Sequence, residues 1–370
     1  MILRLLTCVG IGLVLSANPV WASGVLVTAQ GAKCDGITDD SGAIQAAVGV
    51  AGARCSSDGS HQMRNQSYIE LPSGSTCRIN SGLQFDAACV GLVSNGATLD
   101  ASGLNSGAAI TVNSSQPQSP FGENVPPWSG VHVIGPGAST NTIGVLVQAG
   151  AVIFDKLNVS NFGVGVQFGS YAFLDRFEAP MIFNCATAVN FPNGLGGNAG
   201  ENITFQGGSI FGCQVGFKNN GGELNIEGMS IDGLSDAAIV DLDGAVRVSD
   251  THIEYFTPIK TSPLEIEGGC NAWTFIDLSG GLIQSDTGTT NVRSTIDIRP
   301  PSICGGSGPW VSLERVFFAG LNPAPGCARG AGSTCVTGTS PAIGTGIGQV
   351  AITSSTDGSG GGTMGATHLP

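Results

Sequence analysis

The strongest constraint in this sequence is a repeat. A short apolar slot recurs along the chain, centred on Val159, Ile182, Ile210, Ile231, Ile253, Ile283 and Val316, at steps of 23, 28, 21, 22, 30 and 33 residues. Five positions before every centre stands a second apolar residue: Phe154, Phe177, Phe205, Ile226, Val248, Leu278 and Val311. Self-similarity on this scale is the mark of a solenoid, in which each unit buries its apolar face against its neighbours. Helical solenoids need amphipathic stripes of 3.6-residue period. These β-branched runs, punctuated by Gly and Asn, are too short for that. A turn of about 22 residues with two or three short strands predicts an all-β chain, a right-handed parallel β-helix solenoid.

In a strand, the neighbours of an inward residue point outward. With Ile231 and Ile253 inward, Ser230, Asp232, His252 and Glu254 face solvent on one sheet. Coils stack about 4.8 Å apart, so Asp232 is expected against Glu254 and Ser230 against His252. Phe183 and Phe211 take the outward position of the same column on the preceding coils. A second outward column, Asp155, Glu178, Gln206, Glu227 and Ser249, follows the other ladder, with Arg176, Asn225 and Arg247 just before that ladder. Glu227, Asp250 and Arg247 are thereby expected to border the acid pair. Asp175 falls on an inward position, which calls for a local bulge.

The flanks divide the chain. Residues 1–22 carry Arg4, an apolar run from Leu5 to Leu15, and Val20-Trp21-Ala22 as a small-residue cleavage site. This predicts a signal peptide and a secreted or periplasmic product. Residues 23–66 form an N-terminal cap with a short helix, Asp39 or Asp40 at its N-cap and Ala43, Ile44, Ala47 and Val48 as its apolar stripe. Such a helix covers the open end of a solenoid core. Residues 67–320 are the β-helix. Within them, 105–140 and 257–272 are read as protruding loops able to wall a groove. Residues 321–370 are read as a C-terminal cap, tied by Cys327 and Cys335, and a Gly/Ser/Thr-rich flexible tail.

Of 11 cysteines, ten outlast the leader, an even number that suits an oxidising compartment. No Cys-x-x-Cys occurs, and no spacing resembles a zinc site. Cys185 and Cys213 each lie three residues after their centre, so they stack on adjacent coils and are expected to form a disulfide. Proximity alone suggests Cys34 with Cys55 and Cys77 with Cys89. With 27 acidic residues against 14 basic ones and no basic run, nucleic acid and anionic membrane surfaces are excluded as partners.

The string Gly31-Ala32-Lys33-Cys34-Asp35-Gly36, with Thr38-Asp39-Asp40 and Ala43-Ile44-Gln45-Ala46-Ala47, closely resembles the amino-terminal cap of the pectate lyase superfamily. Ile69-Glu70-Leu71-Pro72-Ser73-Gly74, Arg78-Ile79 and the run from Gly91 to Leu99 resemble the coils that follow it there. The likeness covers residues 25–104, and beyond them it is carried by the repeat. His252-Ile253-Glu254 is similar to an element of phage tailspike-like members with polysaccharide depolymerase roles. The resemblance implies a right-handed β-helix acting on polysaccharides by hydrolysis, lyase chemistry or epimerisation. The polygalacturonase elements Asn-Thr-Asp, Asp-Asp, His-Gly and Arg-Ile-Lys do not occur together: the one Asp-Asp is Asp39-Asp40, and Asn80 follows Arg78-Ile79. The resemblance therefore implies a fold and leaves the reaction open.

The residues supply a candidate reaction. Glycoside hydrolysis needs two carboxyls, about 5 Å apart for retention and about 6.5–9.5 Å for inversion. Stacked Asp232 and Glu254 stand at the near end of that range. Glu254 is read as general acid and Asp232 as nucleophile or base, in roles that could be exchanged, with His252 supporting. Phe183 and Phe211 offer a sugar-stacking platform, and Glu227, Arg247 and Tyr255 offer further substrate contacts. Hydrolysis here calls for no metal or cofactor. The second reading is a lyase on an acidic glycan, with Arg247, Lys260 or Tyr255 as base and a calcium ion held by the acids. The third is a non-catalytic glycan-binding or structural surface protein. The partner expected for the enzyme is an extracellular polysaccharide.

Overall fold

Backbone pairing builds both ladders read from the repeat. In the computed structural model, Val159, Ile182, Ile210, Ile231, Ile253 and Ile283 pair in parallel, one coil on the next. Phe154, Phe177, Phe205, Ile226, Val248 and Leu278 do the same. A third ladder runs through Ile110, Val145, Val166, Val189, Phe217, Ile239 and Leu264. All three are buried, and together they enclose one continuous core. The chain is a parallel β-solenoid with one helix near its N-terminus. The structure describes residues 24–57, 63–115, 126–196, 198–256, 263–267, 274–285, 296–299 and 310–319, and short strands beyond residue 333. Residues 1–22, expected as a signal peptide, lie outside the described residues, as do Lys260 and Cys327.

The core is aromatic at its centre. Phe177 stacks on Phe154 (4.9 Å) and on Phe205 (4.4 Å), while Phe168 and Phe217 meet this column edge-on. Two residues after the second ladder, from the coil of Phe154 onward, the chain turns through a left-handed residue: Lys156, Ala179, Gly207, Gly228, Asp250, Gly280 and Arg315. This corner sets the five-residue offset between the two ladders.

The same corner corrects the last coil. Ile283 pairs with Phe318 and Leu278 with Leu313, in place of Val316 and Val311. Val316 follows the corner residue Arg315 and is buried in the slot that Met229 and Thr251 fill in earlier coils. A slip of two residues keeps the inward face, so the apolar pattern alone does not expose it. Upstream, the first ladder continues through Val133, Leu99 and Cys77, and the second through Trp128, Leu92, Ile69 and Val25. The 105–140 stretch is thus not one loop: it holds the strands Gly107–Asn113, Trp128–Ser129 and His132–Ile134. Past residue 320, Gln349–Thr353 pairs in parallel with Trp310–Glu314, so strands extend into the stretch expected to be a flexible tail. The β-branched residues Val350 and Ile352 suit that pairing.

The helix Ser41–Gly52 buries Ile44, Ala47, Val48 and Ala51 at the end of the core. Asp40 is its N-cap by position, yet its carboxylate turns back to accept the amides of Lys33 (2.6 Å) and Cys34 (2.9 Å). Asp39 instead accepts the Ser41 amide (3.1 Å), and the Ser41 hydroxyl hydrogen bond holds the Asp39 carboxyl below its usual range. Cys185 and Cys213 form the expected disulfide. The other two pairs are Cys34–Cys77 and Cys55–Cys89, which corrects the pairing by proximity. Cys77 belongs to the inward column below Leu99, where it meets Cys34, the residue just before the strand Asp35–Asp39, at a Cα separation of 3.8 Å.

Two acids lie inside the solenoid. Asp175 needs no bulge: Arg176 pairs regularly with Thr204, and the Asp175 carboxylate accepts the Val152 amide (2.9 Å). Burial raises its carboxyl well above the usual range. Asp241 accepts a hydrogen bond from Asn219 Nδ2 (2.9 Å), and burial pushes its carboxyl up to about 8. The unfolded chain releases the Asp241 proton near pH 4, whereas the folded chain keeps it until about pH 8. Stability is therefore expected to fall as pH climbs through that window. Asp241→Asn keeps the acceptor for Asn219 and removes this residue's share of the slope, raising the thermal midpoint at neutral pH by roughly 5 °C. Calorimetric scans of both proteins at pH 5 and pH 8 check this. An equal shift with pH in both would contradict it.

Candidate functional site

The site is built by register. Ser209–Phe211, Ser230–Asp232, His252–Tyr255 and Leu282–Ser285 stack in sequence, placing Phe211, Asp232, Glu254 and Gln284 in one outward column. Ser209, Ser230, His252 and Leu282 form the column beside it. Phe183 continues the first column one coil earlier. The acids, the imidazole and both Phe residues therefore stand on one face, as the alternation implied.

Each carboxylate is held by one oxygen. Ser230 Oγ donates to Asp232 Oδ2 (2.6 Å), and Gln284 Nε2 donates to Glu254 Oε1. His252 Nε2 lies 3.7 Å from Glu254 Oε2, and one donor atom from each of Asp232, His252 and Glu254 lies within 4.8 Å of the others. Asp232 Oδ1 and His252 Nε2 are shielded from solvent and have no hydrogen-bond partner. Two anchored carboxylates with converging free oxygens can share a proton, flank a bond or hold a cation.

Beside the acids lies an aromatic patch. Phe211 is half exposed and Phe256 nearly as much, their ring centres 6.4 Å apart. Gly233, at φ +61°, lies beneath both: a Cβ there would come 3.1 Å from Phe256 and 3.2 Å from Phe211. Phe256 and Gln284 were not singled out in the sequence.

No family model matches the chain, and neither does any curated protein. Among solved structures, the A-module of mannuronan C-5 epimerase AlgE6 from Azotobacter vinelandii is 13% identical over 90% of this chain and 98% of its own, with a TM-score of 0.48. The surface adhesin PfbA of Streptococcus pneumoniae is 10% identical over 80% of this chain and 89% of its own, at 0.45. The catalytic unit of a GH87 alpha-1,3-glucanase from Streptomyces thermodiastaticus is 14% identical over 94% of this chain and 71% of its own, at 0.40. Likenesses this distant assign no activity to this chain.

Three expected contacts are placed elsewhere. Tyr255 is fully buried, and burial drives its hydroxyl pKa further above its ordinary value. In preceding coils the position two after the centre is a left-handed corner (Asn161, Asn184, Gly212 and Gly233). Here the strand runs one residue longer, so Tyr255 shares the inward face of Ile253 and Phe256 emerges instead. Arg247 turns to the Phe275 ring, 5.1 Å from its centre, beside a depression lined by Glu223, Asp243 and Gly244. Glu227 is exposed on the second ladder's outward column, across the corner at Gly228. The walls expected from 257–272 lie mostly outside the described residues, as do residues 116–125.

Proposed function

We propose that the chain is an exported glycoside hydrolase that cleaves an extracellular polysaccharide with retention of configuration. One observation carries this: Asp232 and Glu254 stack in register with one carboxyl oxygen of each within 4.8 Å of the other, beside exposed aromatic rings. Retaining enzymes hold their two carboxyl groups about 5–5.5 Å apart. Asp232 Oδ1 attacks the anomeric carbon while Glu254 protonates the departing glycosidic oxygen, so the sugar passes to Asp232 and the leaving chain departs. Glu254 then takes a proton from water, and the resulting hydroxide displaces Asp232 and releases the sugar. Exchanging the two roles leaves the stereochemical outcome the same. His252 steadies the negative charge between the acids, and Phe211 with Phe256 receives the apolar face of a neighbouring sugar unit.

The lyase reading loses two of its bases, since Tyr255 is buried and Arg247 is occupied with Phe275. Three disulfides suit an oxidising compartment, in keeping with export after cleavage at Ala22. No helix among the described residues is long and apolar enough to cross a membrane. The test is a panel of bacterial and plant polysaccharides, with reducing ends and the absorbance of unsaturated uronates read in parallel. Reducing ends without absorbance are expected. Absorbance would make the protein a lyase, and silence across the panel would shift the weight to glycan binding alone.

A further inference from the structure

We infer that Asp232 Oδ1, His252 Nε2 and Glu254 Oε2 form a three-donor site for a borderline divalent cation of the Zn²⁺, Co²⁺ or Mn²⁺ type, and that its occupancy excludes hydrolysis. The argument starts from the orphaned atoms. Asp232 Oδ1 and His252 Nε2 are shielded from water and without a hydrogen-bond partner. Glu254 Oε2 lies 3.7 Å from the same imidazole nitrogen. Two anionic oxygens and an imidazole nitrogen that converge without a bridging partner leave a concentration of electron pairs. A single proton can serve one pair of these atoms, whereas a divalent cation serves all three at once.

The surroundings are those of a ligand set. Metal-binding carboxylates are themselves hydrogen-bonded by neighbours that fix which oxygen is free. Ser230 holds Asp232 Oδ2 and Gln284 holds Glu254 Oε1, which leaves Asp232 Oδ1 and Glu254 Oε2 as the unanchored oxygens. The donor chemistry selects the ion. Calcium takes six to eight oxygens, and this site offers two carboxylate oxygens and a nitrogen. Imidazole suits zinc and its neighbours, while carboxylates suit manganese as well. Donors now within 4.8 Å of one another close to roughly 3.4 Å around an ion bound at about 2.1 Å, a contraction that the partly exposed His252 and Glu254 side chains allow by rotation. Ligand spacing along the sequence gives no hint of this, because the three donors come together only through the stacking of two coils.

The exclusion of hydrolysis, unlike the binding, rests on the hydrolase reading: an ion on Asp232 Oδ1 and Glu254 Oε2 occupies the atoms that attack and protonate. The experiment therefore has two arms on the full-length mature chain. In the first, Zn²⁺ is titrated calorimetrically and Co²⁺ by visible absorption into metal-free wild type, His252→Ala and Asp250→Asn, the last altering an exposed acid at the nearby corner. One ion per wild-type chain is expected, with affinity unchanged in Asp250→Asn and at least tenfold weaker in His252→Ala, whose metal-free circular dichroism and melting match wild type. No binding, or binding indifferent to His252→Ala, overturns the site. In the second arm, Zn²⁺ is expected to suppress reducing-end release and EDTA to restore it. Turnover unaffected by one bound Zn²⁺ overturns the exclusion. Binding lost in His252→Ala with no turnover on any glycan upholds the site and sinks the hydrolase reading, whereas turnover without binding does the reverse.

Discussion

Glu254→Gln is expected to lower reducing-end release by about 10²–10⁴-fold, the usual contribution of a positioned general acid or base. The substitution keeps side-chain length and an oxygen to accept the Gln284 amide, and the side chain stands on an outer face. The change is isosteric and leaves no cavity, so the melting point should shift little while turnover collapses. Asp232→Asn should cost a comparable factor. The double variant should be little worse than either alone, because groups acting as one unit are not additive. In Asp232→Ala, a small anionic nucleophile such as azide should restore turnover and appear in the product. A Glu254→Gln protein with more than a tenth of wild-type activity would remove this residue from the chemistry.

Phe177→Ala is expected to destabilise the solenoid by about 3–5 kcal/mol. Phe177 is fully buried between two parallel rings, at 4.9 and 4.4 Å, with Phe168 edge-on at 5.9 Å. Truncation removes transfer energy and leaves a cavity that rigid coils above and below cannot close. It also breaks two ring pairs, each worth about 0.5–1.5 kcal/mol beyond area. In a quasi-one-dimensional fold the damage is local, yet it falls at the middle of the stack and separates the coils on either side. Denaturant unfolding of wild type, Phe177→Leu and Phe177→Ala checks the order. Leu should recover part of the loss, and an Ala variant within about 1 kcal/mol of wild type would contradict a continuous aromatic column.

The central coils were legible because their offset is constant. From Val159 to Ile283, a five-residue spacing separates the two ladders and a left-handed corner falls between them. That regularity alone sets Asp232 against Glu254. Where the spacing changes, the reading failed. Leu92 and Leu99 are seven apart, and Ile69 and Cys77 eight, so the early coils escaped the pattern although their strands pair in the same way. Cys77 then looked like a neighbour of Cys89 when it was the next inward residue beneath Leu99.

The site shows the same limit at finer scale. Period-two alternation placed every residue of the Ser230–Asp232 strand, but the length of the next strand decided between Tyr255 and Phe256. Nothing in the local sequence marks Tyr255 as extended where Gly233 is left-handed, beyond the absence of Gly or Asn at that position. Arg247 was placed in the correct column, and its partner was missed, because Phe275 arrives from the following coil after an insertion. Columns can be read from a repeat, while side-chain partners across a corner depend on packing that the repeat does not encode.

The claim at the centre is that two carboxylates stacked on successive coils act as a retaining pair. The most direct measurement is the anomeric configuration of the first-formed product, followed by proton NMR from the start of hydrolysis and before mutarotation equilibrates it. Retention is the expected result, because carboxyl oxygens within 4.8 Å of one another leave no room for a water between acid and sugar. Inversion would contradict the account, since it would require a second carboxyl further away, and the catalytic pair would then lie outside the Asp232–Glu254 column.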